Sequence, residues 1–316
     1  MIQNVKLYLL PVVFILVLTG CKGPMPEPSF SPPVSPQETP TPAPVARLAY
    51  SANAGGGFNL FIVDVDAEGN AISAPTQLTS GQANEEAPTW SPDGRMLAFQ
   101  SGAEGSADIW VISADGSDTY ALTSDPAMEI LPAWSPDGER IAFASNRDGD
   151  YDIYVMKADG TEWIQLTFNE AADLFPAWSP DGTRIAYSSN ADGFEHIWMV
   201  NADGTDAHRI TDGPSNDSQP TWSPDGEWIA FRSDRGGSVD IFRVHADGGR
   251  ITRLTGTDGN DAFPAWSPDG GFIALVSAYL EVIELYVVSV EGGTPWRVIP
   301  DQPAVFKTYP AWSPIP

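Results

Sequence analysis

The sequence predicts an all-β fold: a six-bladed β-propeller of four-stranded antiparallel blades, closed by the C-terminal strand joining the N-terminal blade. Three observations carry this. PAWSPDG stands at Pro132, Pro176 and Pro264, PTWSPDG at Pro88 and Pro220, and PAWSPIP closes the chain from Pro310 to Pro316. The motif tryptophans, Trp90, Trp134, Trp178, Trp222, Trp266 and Trp312, are separated by 44 residues four times and then by 46. An alanine column keeps the same step at Ala49, Ala98, Ala142, Ala186, Ala230 and Ala274. Periods of this size, built from short β segments, are those of propeller blades.

Taken in order, residues 1–20 read as a lipoprotein signal peptide. Lys6 supplies a positive start, Leu7 to Leu18 is an apolar run too short to span a bilayer as a helix, and small residues follow. Leu18-Thr19-Gly20-Cys21 resembles the bacterial lipobox, which implies a lipid on Cys21, the single cysteine of the chain. Residues 21–46 are then a tether. Lys22 to Ala46 holds nine prolines among 25 residues, a composition that favours polyproline II and spans roughly 75 Å at about 3.1 Å per residue.

Residues 47–316 form the propeller. In the third unit, PAW, RIAFAS (140–145), DIYVMKA (152–158) and WIQLT (163–167) are four short segments rich in β-branched and aromatic residues. Ser-Pro-Asp-Gly suits a type I turn with proline at its first central position. Asp159-Gly160, Asp115-Gly116 and Asp203-Gly204 suit two-residue hairpins with both residues at positive φ. Both faces of DIYVMKA are largely apolar, so each blade is packed between two others. The first unit lacks a motif ahead of Arg47, and the missing strand is expected from Pro310 to Trp312, which removes the sheet edges at the seam.

The succession W-S-P-D-G, I-A-F, S-N-R-D-G with D-I-Y, A-D-G and Q-L-T resembles the WD-like repeat of the TolB propeller family, over about residues 46–316. The resemblance implies a six-bladed propeller, in agreement with the count of six. Where the family's namesake has an α/β domain before its propeller, a signal and a tether stand here, which leaves a Tol-Pal role unassigned.

Loops alternate between the two ends of such a meander. The SPDG and ADG turns lie at one end, and the links between blades and the loops between second and third strands lie at the other, where specificity is expected. Five residues before each motif tryptophan stand Glu85, Glu129, Asp173, Asp217 and Asp261, then Lys307. If the tryptophan strand is innermost, as in the family, these carboxylates form an acidic ring at one channel mouth that takes a cation or a basic peptide; the other reading makes each a repeated cap of its own link. The last unit departs from the others with Tyr279, Leu280, Val282 and Ile283 in place of a glycine-containing loop, beside a longer link carrying Phe306 and Lys307. These six are the candidate partner-binding residues, with an inward fold or an extension of the strands as the alternative.

A net charge of −26 argues against nucleic acid and against an anionic bilayer surface. Asp64 to Gly69 begins like a calcium loop, but Pro75 stands where the closing glutamate belongs, and Asp148, Asp150 and Asp152 read as turn and strand-start residues. No cofactor is expected, a divalent cation such as Ca2+ at the acidic mouth being the one alternative. His196, His208 and His245 do not converge, and neither G-x-S-x-G nor H-E-x-x-H occurs. The chain reads as no enzyme and has no catalytic residues to assign. The expectation is a monomeric, extracytoplasmic, membrane-anchored lipoprotein at the periplasmic face or cell surface that binds a protein or peptide of the cell envelope. The alternatives are a glycan-binding envelope sensor and a carboxylate-dependent enzyme acting on polysaccharides.

Overall fold

The computed structural model describes residues 46–53, 56–103, 106–256, 259–279, 282–300 and 306–314; Cys21, the signal and the tether before Ala46 lie outside them. Blade 1 comprises β1 (Ala46–Asn53), β2 (Phe58–Val65) and β3 (Thr76–Gln77). Blade 2 follows with β4 (Asn84–Trp90), β5 (Met96–Ala103), β6 (Ser106–Ser113) and β7 (Thr119–Ala121). Blade 3 holds β8 (Glu129–Trp134), β9 (Arg140–Ser145), β10 (Asp152–Lys157) and β11 (Ile164–Gln165). Blade 4 holds β12 (Asp173–Trp178), β13 (Arg184–Ser189), β14 (His196–Asn201) and β15 (His208–Arg209). Blade 5 holds β16 (Asp217–Trp222), β17 (Trp228–Ser233), β18 (Asp240–His245) and β19 (Thr252–Arg253). Blade 6 holds β20 (Asn260–Trp266), β21 (Phe272–Tyr279), β22 (Val282–Ser289) and β23 (Trp296–Arg297), and β24 (Lys307–Trp312) ends the series.

The sheets are six antiparallel meanders, and the one formed by β1 to β3 takes β24 as its fourth strand, in the order β24-β1-β2-β3. Leu48 pairs with Trp312 and Ala52 with Lys307. Closure of the ring by the C-terminal strand is thus as expected. Apolar residues gather between the blades. Ala142, Ile153 and Leu166 of blade 3 pack with Trp178, Ile185 and Tyr187 of blade 4, and Leu48 and Tyr50 of blade 1 with Val276 and Leu285 of blade 6. Among the described residues six such clusters occupy the six seams, so every sheet is covered on both faces.

Each WSPDG turn explains its own letters. In blade 3 the Gly138 N–H donates to Ser135 O, the Ser135 hydroxyl donates to Asp137, and Asp137 Oδ1 accepts the Glu139 N–H at 3.0 Å. Gly138 sits at φ 73°, where a side chain is strained. A Cβ there would also stand 3.1 Å from Pro92 of blade 2, and the same proline-to-glycine contact links Pro136 to Gly182 and Pro314 to Gly94. The ADG turns differ from expectation. Gly160 has φ 83° but Asp159 does not have positive φ, and Gly160 N–H bonds Lys157 O. This is a type I turn closed by a left-handed glycine, stable because Asp159 Oδ1 caps the Thr161 N–H at 3.0 Å.

Candidate functional site

The tryptophan-bearing strands β4, β8, β12, β16, β20 and β24 are the innermost, and together they line one central cavity of about 460 Å³. Each contains a β-bulge. On β8 the pairing runs Ile130 with Ala144 and then Ala133 with Ala142, so Leu131 and Pro132 stand opposite Phe143 alone. Proline fits this position because a bulge leaves an N–H out of the ladder. The residue before it is forced left-handed in every blade: Ala87, Leu131, Phe175, Gln219, Phe263 and Tyr309 have φ between 50° and 58°. A non-glycine residue held there costs about 1–3 kcal/mol, and such residues collect at functional sites.

All six of these residues line the cavity. Phe263 and Tyr309 pack ring to ring at 4.2 Å, and Gln219 Oε1 accepts the Phe263 N–H at 2.7 Å. Burial pushes the Tyr309 hydroxyl up, and the charge of Glu86 adds to it, so it remains a neutral donor. The cavity wall is therefore aromatic and aliphatic with a few placed polar groups, the usual make-up of a ligand site. This ring escaped the sequence reading, although its signal was present as a variable residue three before each tryptophan.

The predicted acidic ring is not at the mouth. Glu129, Asp173, Asp217 and Asp261 are fully buried, Glu85 is half-buried, and none of the five lines the cavity. They point into the seams, because the bulge lies between them and the tryptophan and resets which face each side chain takes. Ser145 donates to Glu129 Oε1 at 2.9 Å and Ser233 to Asp217 Oδ1 at 2.6 Å. Four positions of this column also meet a residue at or near the start of the third strand of the preceding blade: Asp108 near Glu129, Asp152 near Asp173, His196 3.8 Å from Asp217 and Glu284 2.6 Å from Lys307.

Two of these carboxyls are held well above the usual range. Burial, then the charges of Asp125 and Asp108, push Glu129 up to about 7, against the hydrogen bond from Ser145 and the nearby Arg147. Burial and the charges of Asp148, Asp150 and Asp173 push Asp152 up to about 6, against the Thr167 hydroxyl. A carboxyl with a raised folded-state pKa contributes stability that is complete below its unfolded value and is lost as pH rises through the folded value. The melting temperature should therefore fall as pH goes from 6 to 8. In Glu129→Gln, which has no proton to lose there, that fall should shrink by roughly 3 °C in a thermal scan. An unchanged slope would mean that Glu129 is already ionised at pH 6.

The partner-binding candidates are corrected as well. Lys307 is fully buried, not exposed. Val282 and Ile283 are half-buried strand residues, since β21 and β22 pair out to Tyr279 with Val282, and Ile283 packs on the core between blades 6 and 1. Without a turn-forming glycine the ladder simply continues. Leu280 and the Tyr279 side chain lie outside the described residues, and among the described candidates Phe306 is the markedly exposed one. The suspected calcium loop is a capped turn: Asp66 Oδ1 accepts the N–H groups of Glu68 and Asn70.

Comparison with known proteins agrees with this architecture. Residues 24–175 and 171–314 match the TolB beta propeller domain. A Tol-Pal system protein TolB of Rhizorhabdus wittichii is 42% identical over 64 residues, which is 20% of this chain and 13% of that protein, so the match spans a small part of the relative. The structure of TolB from Acinetobacter baumannii superposes with a TM-score of 0.71 at 23% identity, over 87% of this chain and 69% of that one. A putative TolB from Agrobacterium tumefaciens gives a TM-score of 0.67 at 25% identity, over 85% and 99%.

Proposed function

The chain belongs to the TolB beta propeller domain family, and from that premise we propose that it is a lipid-anchored protein of the cell envelope that binds a protein or peptide segment in its central cavity, without catalysis. One observation supports the choice of site. The backbone three residues before the tryptophan is held in one conformation in all six blades, while the side chain there is Ala, Leu, Phe, Gln, Phe or Tyr. A purely structural bulge has no use for such variety; a recognition surface does. The side chains offered are aromatic and aliphatic beside the Gln219 amide, which suits an extended segment that inserts an apolar side chain and hydrogen-bonds through its backbone. The lipobox resemblance at Leu18 to Cys21 supports the anchor.

Photo-crosslinking in intact cells tests both parts. A benzoylphenylalanine at Phe175 or Tyr309 should give a discrete adduct that the same group at Ile164, on an outer strand and 56% exposed, does not give. Cys21→Ser should move the protein out of the membrane fraction. Equal adducts from the outer strand, or none from the cavity, would refute the site.

A further inference from the structure

We propose that the seam between blades 3 and 4 is a divalent-cation site of the calcium type, formed by Asp148, Asp150 and Asp152 with Asp173 behind them. One carboxylate oxygen from each of the first three lies within 4.8 Å of the others. Oxygens bound to one Ca2+ at 2.3–2.6 Å stand at most about 5 Å apart, so a single ion can reach all three. Asp148 is exposed and Asp150 half-exposed, which leaves a path for entry.

Acidic turns are common, and the cluster alone would mean little. Buried oxygens with nothing to bind give it meaning. Asp173 is fully buried and its N–H donates at 2.7 Å to the carbonyl of Tyr151, the residue between Asp150 and Asp152. Its Oδ2 accepts from Asn169 at 2.8 Å. The Ser189 and Thr167 hydroxyls lie near enough to ease its charge, yet Oδ1 accepts no hydrogen bond, and neither does the buried Oδ2 of Asp150. Buried carboxylate oxygens in a protein are paired, hydrogen-bonded or metal-bound.

The other seams supply the missing comparison. Asp240 has Arg253 at 2.7 Å, Glu284 has Arg297 at 2.8 Å, Asp217 has Arg235 at 2.5 Å and Glu129 has Arg147 at 3.7 Å. Arg253 and Arg297 sit on the fourth strand, paired with Phe242 and Tyr286. In blade 3 the same place, opposite Tyr154, belongs to Gln165. Its neutral amide donates to Asp148 Oδ2 at 2.7 Å and to Asp152 Oδ2 at 3.2 Å. Among the described residues no basic side chain lies within 4 Å of the four aspartates. Four other seams carry a guanidinium, while the seam with the most carboxylates carries none among the described residues, and a hard cation is the partner that an all-oxygen donor set selects.

The test uses the full-length protein stripped with EDTA and titrated calorimetrically with CaCl2. One ion per chain should bind, more weakly for MgCl2, and saturating CaCl2 should raise the melting midpoint by roughly 5 °C over NaCl of equal ionic strength. Asp150→Asn should weaken binding at least about tenfold. Gln165→Arg, which places the blade 5 arginine in this seam, should abolish binding and raise the midpoint of the metal-free protein. No saturable heat up to millimolar CaCl2 would overturn the proposal, as would binding unchanged in both variants, which would put the ion elsewhere.

Discussion

Deletion of Pro310–Pro316 should destroy the cooperative unfolding transition of the propeller or lower its midpoint by more than about 10 °C. Those few residues bind three blades at once. Trp312 and Ala311 pair with Leu48 and Ala49 of blade 1, and the Ser313 N–H donates to Arg47 O at 2.8 Å while its hydroxyl accepts the Arg47 N–H at 2.9 Å. The Trp312 indole donates to Ala265 O of blade 6 at 3.1 Å, and the Trp90 indole of blade 2 donates to Ala311 O at 3.0 Å. Their loss exposes the ladder of β1 and uncovers the apolar contacts between blades 1 and 6. Differential scanning calorimetry of the two chains decides it, and an unchanged transition would mean that the ring does not depend on its closing strand.

Lys307→Ala should be the most damaging single substitution at the same seam. Lys307 has no exposed surface, and its ammonium donates to Glu284 Oε2 at 2.6 Å; the other oxygen, Oε1, has only the Arg297 guanidinium at 2.8 Å, without hydrogen-bond geometry. Removing Lys307 leaves the buried Glu284 with only the partly exposed Arg297 as a counter-charge, at a cost toward the lower end of the about 3–5 kcal/mol of a broken buried pair. The midpoint should drop by roughly 10 °C. Lys307→Met combined with Glu284→Met should recover most of that loss, because an apolar pair carries no such charge. A single-variant drop under about 2 °C would show that water reaches the pair.

The repeat made the ring legible. A step of 44 residues fixed the blade number, and the displaced first unit showed which strand would close it. What failed was the direction of side chains. Counting back from Trp178 places Asp173 correctly along the strand but cannot reveal that the Phe175-Pro176 bulge turns it into a seam. Val282 and Ile283 stand between two readings for a related reason: an apolar stretch without glycine reads equally as a surface patch and as more strand, and only the partner ladder separates them. Lys307 is the instructive case. Its position in the carboxylate column was plain, but its partner, Glu284, is 23 residues away on a different strand of a different blade.

The proline-to-glycine contacts that link one WSPDG turn to the next have a further meaning. At five of the six seams a blade offers its proline to the glycine of the blade that follows, so neighbouring blades meet head to tail, like subunits of a cyclic oligomer fused into one chain. In such a ring the rotations between neighbours must add up to one full turn. A side chain added at Gly138 would therefore do more than crowd Pro92: by tilting one blade it would leave an angular error that the remaining five must share.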